Sequence, residues 1–266
     1  SIGYQPDTQD GQSWDTIAIG ARAGTTNQGN NSIAMGNRAG HSGQGADAIA
    51  IGSSPNSSVG GAGYYNQGNY SIAIGAQAAE TSQSQESIAI GYLSAQLNQG
   101  YQAIAIGRAA GSNNQNQHAI AIGPQAGNDT QGLSAIAIGE DAGNTYQNFS
   151  AVALGRGAGQ NGQGQKAVAI GRYAGRYGQA GWAVAIGHHA GHGIFDTSGQ
   201  GTNAIAIGAH AGEYSQHDNS IVIQATATGN GTGINPSEQG LYIDPIRNVN
   251  DGTQYVLSLI HISEPT

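Results

Sequence analysis

The densest group of chemistry-bearing side chains in this 266-residue sequence is the run HHAGH, which holds His188, His189 and His192. Imidazoles at that spacing can converge on one transition-metal ion, since neutral histidine nitrogens are common ligands of such ions. Their position argues against it. A four-residue phrase, IAIG or a near variant, precedes the run, and His188 and His189 fill the two places after its Gly, which elsewhere hold Arg108, Glu140 with Asp141, Arg156, or Arg172 with Tyr173. The sequence therefore predicts an exposed column with no fixed chemistry and assigns no metal ligand. Other catalytic signals are as weak. Acidic residues such as Asp129, Glu140 and Asp141 are scattered, with no EF-hand loop and no Gly-rich calcium nonapeptide. No P-loop Lys follows the glycines, and no G-x-S-x-G elbow appears. A thin, straight roll would also lack a concave pocket. Neither catalysis nor a cofactor is expected.

Composition narrows the classes further. Only 9% of residues are charged and the net charge is −8, which excludes a basic nucleic-acid binder. With no Cys, a disulfide framework and thiolate metal sites are excluded, and no apolar run approaches the roughly 18 residues of a membrane span. The chain begins with neither Met nor a signal-type segment, so it reads as a fragment or a processed chain.

What must position any site is a repeat. The IAIG phrase starts at 17, 33, 49, 72, 88, 104, 120, 136, 152, 168, 184, 205 and 221, a 16-residue period broken by one insertion of seven residues and one of five. Such self-similarity fixes a stack of equivalent units. Turn glycines close the phrase at Gly20, Gly36, Gly107, Gly123, Gly139, Gly155 and Gly171, and an Ala-Gly pair follows in most copies. A Gln stands five residues before each Ile: Gln28, Gln44, Gln83, Gln99, Gln115, Gln131, Gln147, Gln163 and Gln179 belong to this column, which both insertions leave in phase. Sixteen residues are too few for a helical hairpin, and Gly at this frequency opposes helix by nearly ~1 kcal/mol per position. The alternation in IAIG is a strand pattern. A second short strand is expected around the Ala-Gly pair, then a polar loop ending near the Gln. Stacked at about 4.7 Å per coil, thirteen coils would make an all-β parallel roll about 60 Å long. Equivalent Gln amides would lie above one another, each donating to one neighbour and accepting from the other, a structural ladder.

Both faces of the IAIG strand are apolar, as in strands buried on two sides. Either Ala faces the roll interior and Ile meets other chains, or Ile fills the interior and a mild Ala stripe lies outside. The first arrangement is favoured, and it needs an oligomer, because a stripe of Ile about 60 Å long exceeds what soluble monomers usually expose.

SIAIGAQA from Ser71 and AIAIGRAA from Ala103 resemble the head repeat of the YadA-like trimeric autotransporter adhesins. The longer form ending in SIVIQATATG at Ser220, with GLYIDPIRN at Gly240, is similar to YadA-like repeat proteins of viral tail fibres and giant-virus genomes. The resemblance implies a left-handed parallel β-roll assembled as a homotrimer, extracellular on a virion fibre or a bacterial outer surface, with a host glycan or protein receptor as partner. The 16-residue coil departs from the family's usual repeat of about 14, a length that the resemblance supplies. Non-catalytic attachment is the function implied. A tailspike-type glycan-processing enzyme would need acids clustered in a groove, and an ice-binding solenoid a flat array of Thr, whereas the variable columns here mix Arg, Tyr, His, Asn and Glu.

Receptor-binding candidates lie in the insertions, since inserted loops project from a solenoid. The first carries Tyr64, Tyr65 and Tyr70, the second Phe195. These rings could instead pack on their own coil. Trp182, just before a strand, is expected to cover the second face locally. The expected organisation is a repeat domain over 1–228, a connector over 229–256, and at 257–266 the segment LSLIHISEPT, which looks like a translated sequencing adapter. Thr226 to Gly233 reads as an exit loop, and Leu241 to Ile246 as an edge strand or connector interrupted by Pro245.

Overall fold

In a computed structural model, residues 13–54, 56, 59–194, 199–225 and 234–244 are described. The chain is an all-β parallel solenoid of about 13 turns, with no helix among the described residues. Its long sheet joins fourteen of the described strands in chain order, from Ile17–Ile19 to Gly240–Asp244. Each IAI segment pairs with the equivalent segment of the next coil, as in Ile104↔Ile120, Ala105↔Ala121 and Ile106↔Ile122. The insertions do not disturb that register, because Ile49 pairs with Ile72 and Val184 with Ile205.

A second sheet holds seven of the described strands, from Ser42–Gln44 to Thr145–Gln147. Its position corrects the expectation of a strand at the Ala-Gly pair: each of these strands ends on the column Gln, as Asn113–Gln115 does. The Ala-Gly pair is instead a corner. Gly111 has a φ of +52°, a left-handed conformation incompatible with a strand. A Cβ on it would also lie 2.8 Å from the Gln115 amide carbon. The turn Gly107 has a φ of +131°, and a Cβ there would lie 2.7 Å from the carbonyl group of Gly123 in the next coil.

The centre of the roll is narrow. Strand residues Ala105, Ala121 and Ala137 are fully buried, with corner residues Ala110, Ala126 and Ala142 facing them. The flanking isoleucines point outward, giving the burial alternation seen at Ile17–Ile19, where Ala18 is covered and both Ile side chains are exposed. Ala thus faces the interior and Ile the outside. So small a bore requires tight corners, and non-Gly residues adopt left-handed φ at them, among them Glu86, Gln102, His118, Ser134, Ser150 and Lys166. Each such residue costs about 1–2 kcal/mol locally, offset by the sheet bonds that the corner permits.

After the last regular copy the strand Ser220–Gln224 pairs in parallel with Gly240–Asp244, so the expected connector adds a strand to the sheet edge. Residues 226–233 and 245–266, which include Pro245 and the segment 257–266, lie outside the described residues.

Candidate functional site

The largest fully buried side chains are the column glutamines. A buried amide without partners costs several kcal/mol, and the coil supplies partners in a fixed pattern. Gln115 Nε2 donates to the carbonyls of Ile104 at 2.8 Å and Ala119 at 3.3 Å, and to Gln131 Oε1 at 3.1 Å. The same inter-coil bond links Gln83, Gln99, Gln115, Gln131, Gln147, Gln163, Gln179, Gln200 and Gln216 in succession. Gln28 and Gln44 are not joined in this way. Their Nε2 groups keep the bonds to backbone carbonyls, but the Oε1 atoms of Gln28, Gln44, Gln67 and Gln83 accept no hydrogen bond.

At the first insertion the structure brings Tyr64 and Tyr65 together, ring centroids 4.1 Å apart, with His41 4.8 Å from Tyr64. Burial, then Arg38 and Arg22, hold His41 below the ordinary histidine range. Tyr70 lies elsewhere, 61% exposed at the corner before the Ile72–Ile74 strand. The insertion is tied down by Arg38 Nη1 donating to Val59 O at 3.2 Å and by Gly60 N donating to Glu80 Oε1 at 2.7 Å. Beside it an open concavity of about 610 Å³ is framed by Arg22, Asn37, Arg38, Ser53, Ser54 and Asn56. A concavity of this size was not expected from a straight roll; the insertion builds its wall. Phe195 lies outside the described residues.

Along the solenoid, cationic side chains gather on aromatic rings. The guanidinium carbons of Arg156, Arg172 and Arg176 lie 5.7, 4.8 and 4.4 Å from the Tyr173 ring centroid. Trp182 is exposed at a corner, with Lys166 Nζ 6.0 Å away, rather than covering the second face.

The histidine run is more structured than the sequence suggested. His188 is exposed, but His189 and His192 are half-buried and stacked, centroids 4.5 Å apart and planes 8° from parallel. Because the second insertion leaves the register intact, His210 lies one coil beyond His189, and His210 N donates to His188 O at 2.8 Å. Glu213, its side chain 4% exposed, then faces both imidazoles: its Oε1 is 3.5 Å from His189 Nδ1 and its Oε2 is 3.0 Å from His210 Nδ1. Burial, then His192 and His188, push the His189 imidazole down to about 4, against the pull of Glu213, so it is neutral at pH 7. Burial also lowers His192. His210 and Glu213 were missed because insertion lengths hide the columns. Counting from the preceding Ile would have found them: His189 and His210 both stand five residues after one, at Ile-column positions 184 and 205.

Residues 15–39 match the YadA head domain repeat, in two copies. That family is one of non-enzymatic, surface-exposed trimeric adhesins. The YadA head repeats cover the Ile17–Ile19 and Ile33–Met35 strands, and the second of these pairs in register with Ile49–Ile51. The coils beyond the match add strands to the same sheet in the same register. No match to the chain was found among curated proteins or among solved structures.

Proposed function

We propose that the chain is part of a trimeric, extracellular attachment fibre of a virion or bacterial surface, a stiff non-catalytic rod that presents repeated weak contacts to a host cell. The observation that carries this reading is the outward double column of Ile. Ile17, Ile19, Ile106, Ile186, Ile207, Ile221 and Ile223 are all at least 36% exposed, on one sheet that runs the length of the solenoid. An apolar seam this long is covered in stable soluble proteins, and each half-covered Ile has about 1 kcal/mol left to gain from burial. Sister chains closing round the seam provide that cover, and the YadA head match supports three of them. Trimeric display then multiplies weak contacts by avidity. The aromatic pair Tyr64 and Tyr65 with the neighbouring concavity is the proposed receptor face, suited to stacking on a sugar or protein partner, and exposed Tyr70 is a separate candidate contact.

Light scattering on the full chain tests the assembly: a trimer mass is expected, and a stable monomer at low concentration would overturn the reading. Replacing Ile106→Asp and Ile138→Asp together should dissociate the trimer or prevent folding, whereas unchanged mass and melting would show that the seam is not an interface. Glycan-array binding before and after deletion of residues 56–65 locates the receptor face.

A further inference from the structure

We propose that His189, His210 and Glu213 form a binding site for a divalent transition-metal ion of the Zn²⁺ class, joining two successive coils across the second insertion. The three groups each offer one ligand atom, and these atoms lie within 4.8 Å of one another. Ligands about 2.0–2.2 Å from a tetrahedral Zn²⁺ are themselves about 3.3–3.5 Å apart. His189 Nδ1 lies 3.5 Å from Glu213 Oε1 and His210 Nδ1 lies 3.0 Å from Glu213 Oε2, near that value, and a shared ion would draw the three groups in from a spread of at most 4.8 Å.

The polar atoms are also unspent. His189 Nδ1, His210 Nδ1 and Glu213 Oε2 are buried and make no hydrogen bond in the geometry present. Buried polar atoms are otherwise almost always satisfied, and one shared cation satisfies all three. Two imidazoles and a carboxylate are the donor set of open zinc sites, which leave a fourth position for water or an external ligand. The surroundings fit. His192 stacks on His189, and its own Nδ1 lies 2.7 Å from Gly193 O, which fixes the ring that packs against the proposed ligand. The backbone holds the pieces without the ion, since Gly191 N donates to Ala211 O and Gly193 N to Glu213 O, each at 2.8 Å.

The test is titration of the chelator-treated full chain with ZnCl₂ by calorimetry and with CoCl₂ by visible absorption, alongside Glu213→Gln, His210→Gln and the remote His217→Ala. One Zn²⁺ per chain is expected, with a tetrahedral Co²⁺ band. Affinity should fall at least about tenfold in each ligand variant and stay unchanged in His217→Ala. MgCl₂ should give no heat, because Mg²⁺ prefers an all-oxygen octahedron. Absence of both heat and band in the parent chain overturns the proposal without reference to any variant. So does undiminished binding in Glu213→Gln or His210→Gln; if one of these fails to fold, the other decides. Loss of the trimer in light scattering would overturn the proposed function and leave this site standing, so the two readings fail separately.

Discussion

Glu80 and Glu213 occupy the same place in their coils, eight residues after the first Ile of a strand, three before a buried Gln, and in the coil that follows an insertion. Their surroundings are opposite. Glu80 accepts from Gln96 at 2.8 Å, from Gln77 at 3.1 Å and from the Gly60 amide at 2.7 Å, which staples the first insertion to the stack. Glu213 meets imidazole nitrogens where Glu80 meets amide donors. Equivalent positions thus carry a carboxylate clasped by amide donors at one insertion and a carboxylate facing imidazoles at the other, and the residue three places earlier, Gln77 or His210, is part of that difference. The comparison teaches that in a stacked fold chemistry belongs to columns.

The two coils also mark the ends of the amide ladder, which starts at Gln83 and finishes at Gln216. The largest expected effect tests that boundary. Gln147→Leu removes two backbone bonds and two ladder bonds and should cost about 2–4 kcal/mol in denaturant unfolding, while Gln44→Leu, outside the ladder, should cost about 1–2. Equal losses would show that the ladder adds nothing to the backbone bonds. Next in size is Glu80→Ala. It strands three donors and should destabilise the first insertion by about 1–3 kcal/mol, read as faster hydrogen exchange at Gly60.

The same carboxylate sets a pH dependence. Burial alone would raise the Glu80 carboxyl, but the bonds from Gln96, Gly60 and Gln77 outweigh it and hold the group below the usual range. A depressed folded pKa contributes stability above the unfolded value of about 4.3, which is lost as pH falls through the folded one. Protection of Gly60 should therefore weaken on acidification below about pH 4, and Glu80→Gln should remove that dependence. The smallest effect is expected at the other clasp. In the metal-free chain, Glu213→Gln should change stability by no more than about 0.5 kcal/mol, because Glu213 Oε2 accepts no hydrogen bond and the cost of burying the charge offsets its contacts with the imidazoles. A loss as large as that of Glu80→Ala would erase the contrast.

Much of this architecture is legible from spacing alone. The phase of Gln28 to Gln179 defines the coil, and the small Ala between two Ile tells which side chain fits a narrow bore. The second strand was misplaced because Ala and Gly at a corner look, in composition, like a weak strand; only the left-handed φ of residues such as Gly111 distinguishes them. The histidine cluster was only half visible. His189 to His192 is local, but its partners His210 and Glu213 are brought beside it by the chain's return after an insertion, a three-dimensional adjacency that linear spacing does not display. Tyr64 and Tyr65 were legible as a pair, and the concavity next to them was not, since its wall joins the start of the insertion to the corners of the two preceding coils.

The ladder has a direction. In every one of its links the earlier coil gives the proton and the later coil receives it. A polypeptide leaves the ribosome in that same order, so each completed winding holds out an amide hydrogen for the one still being made.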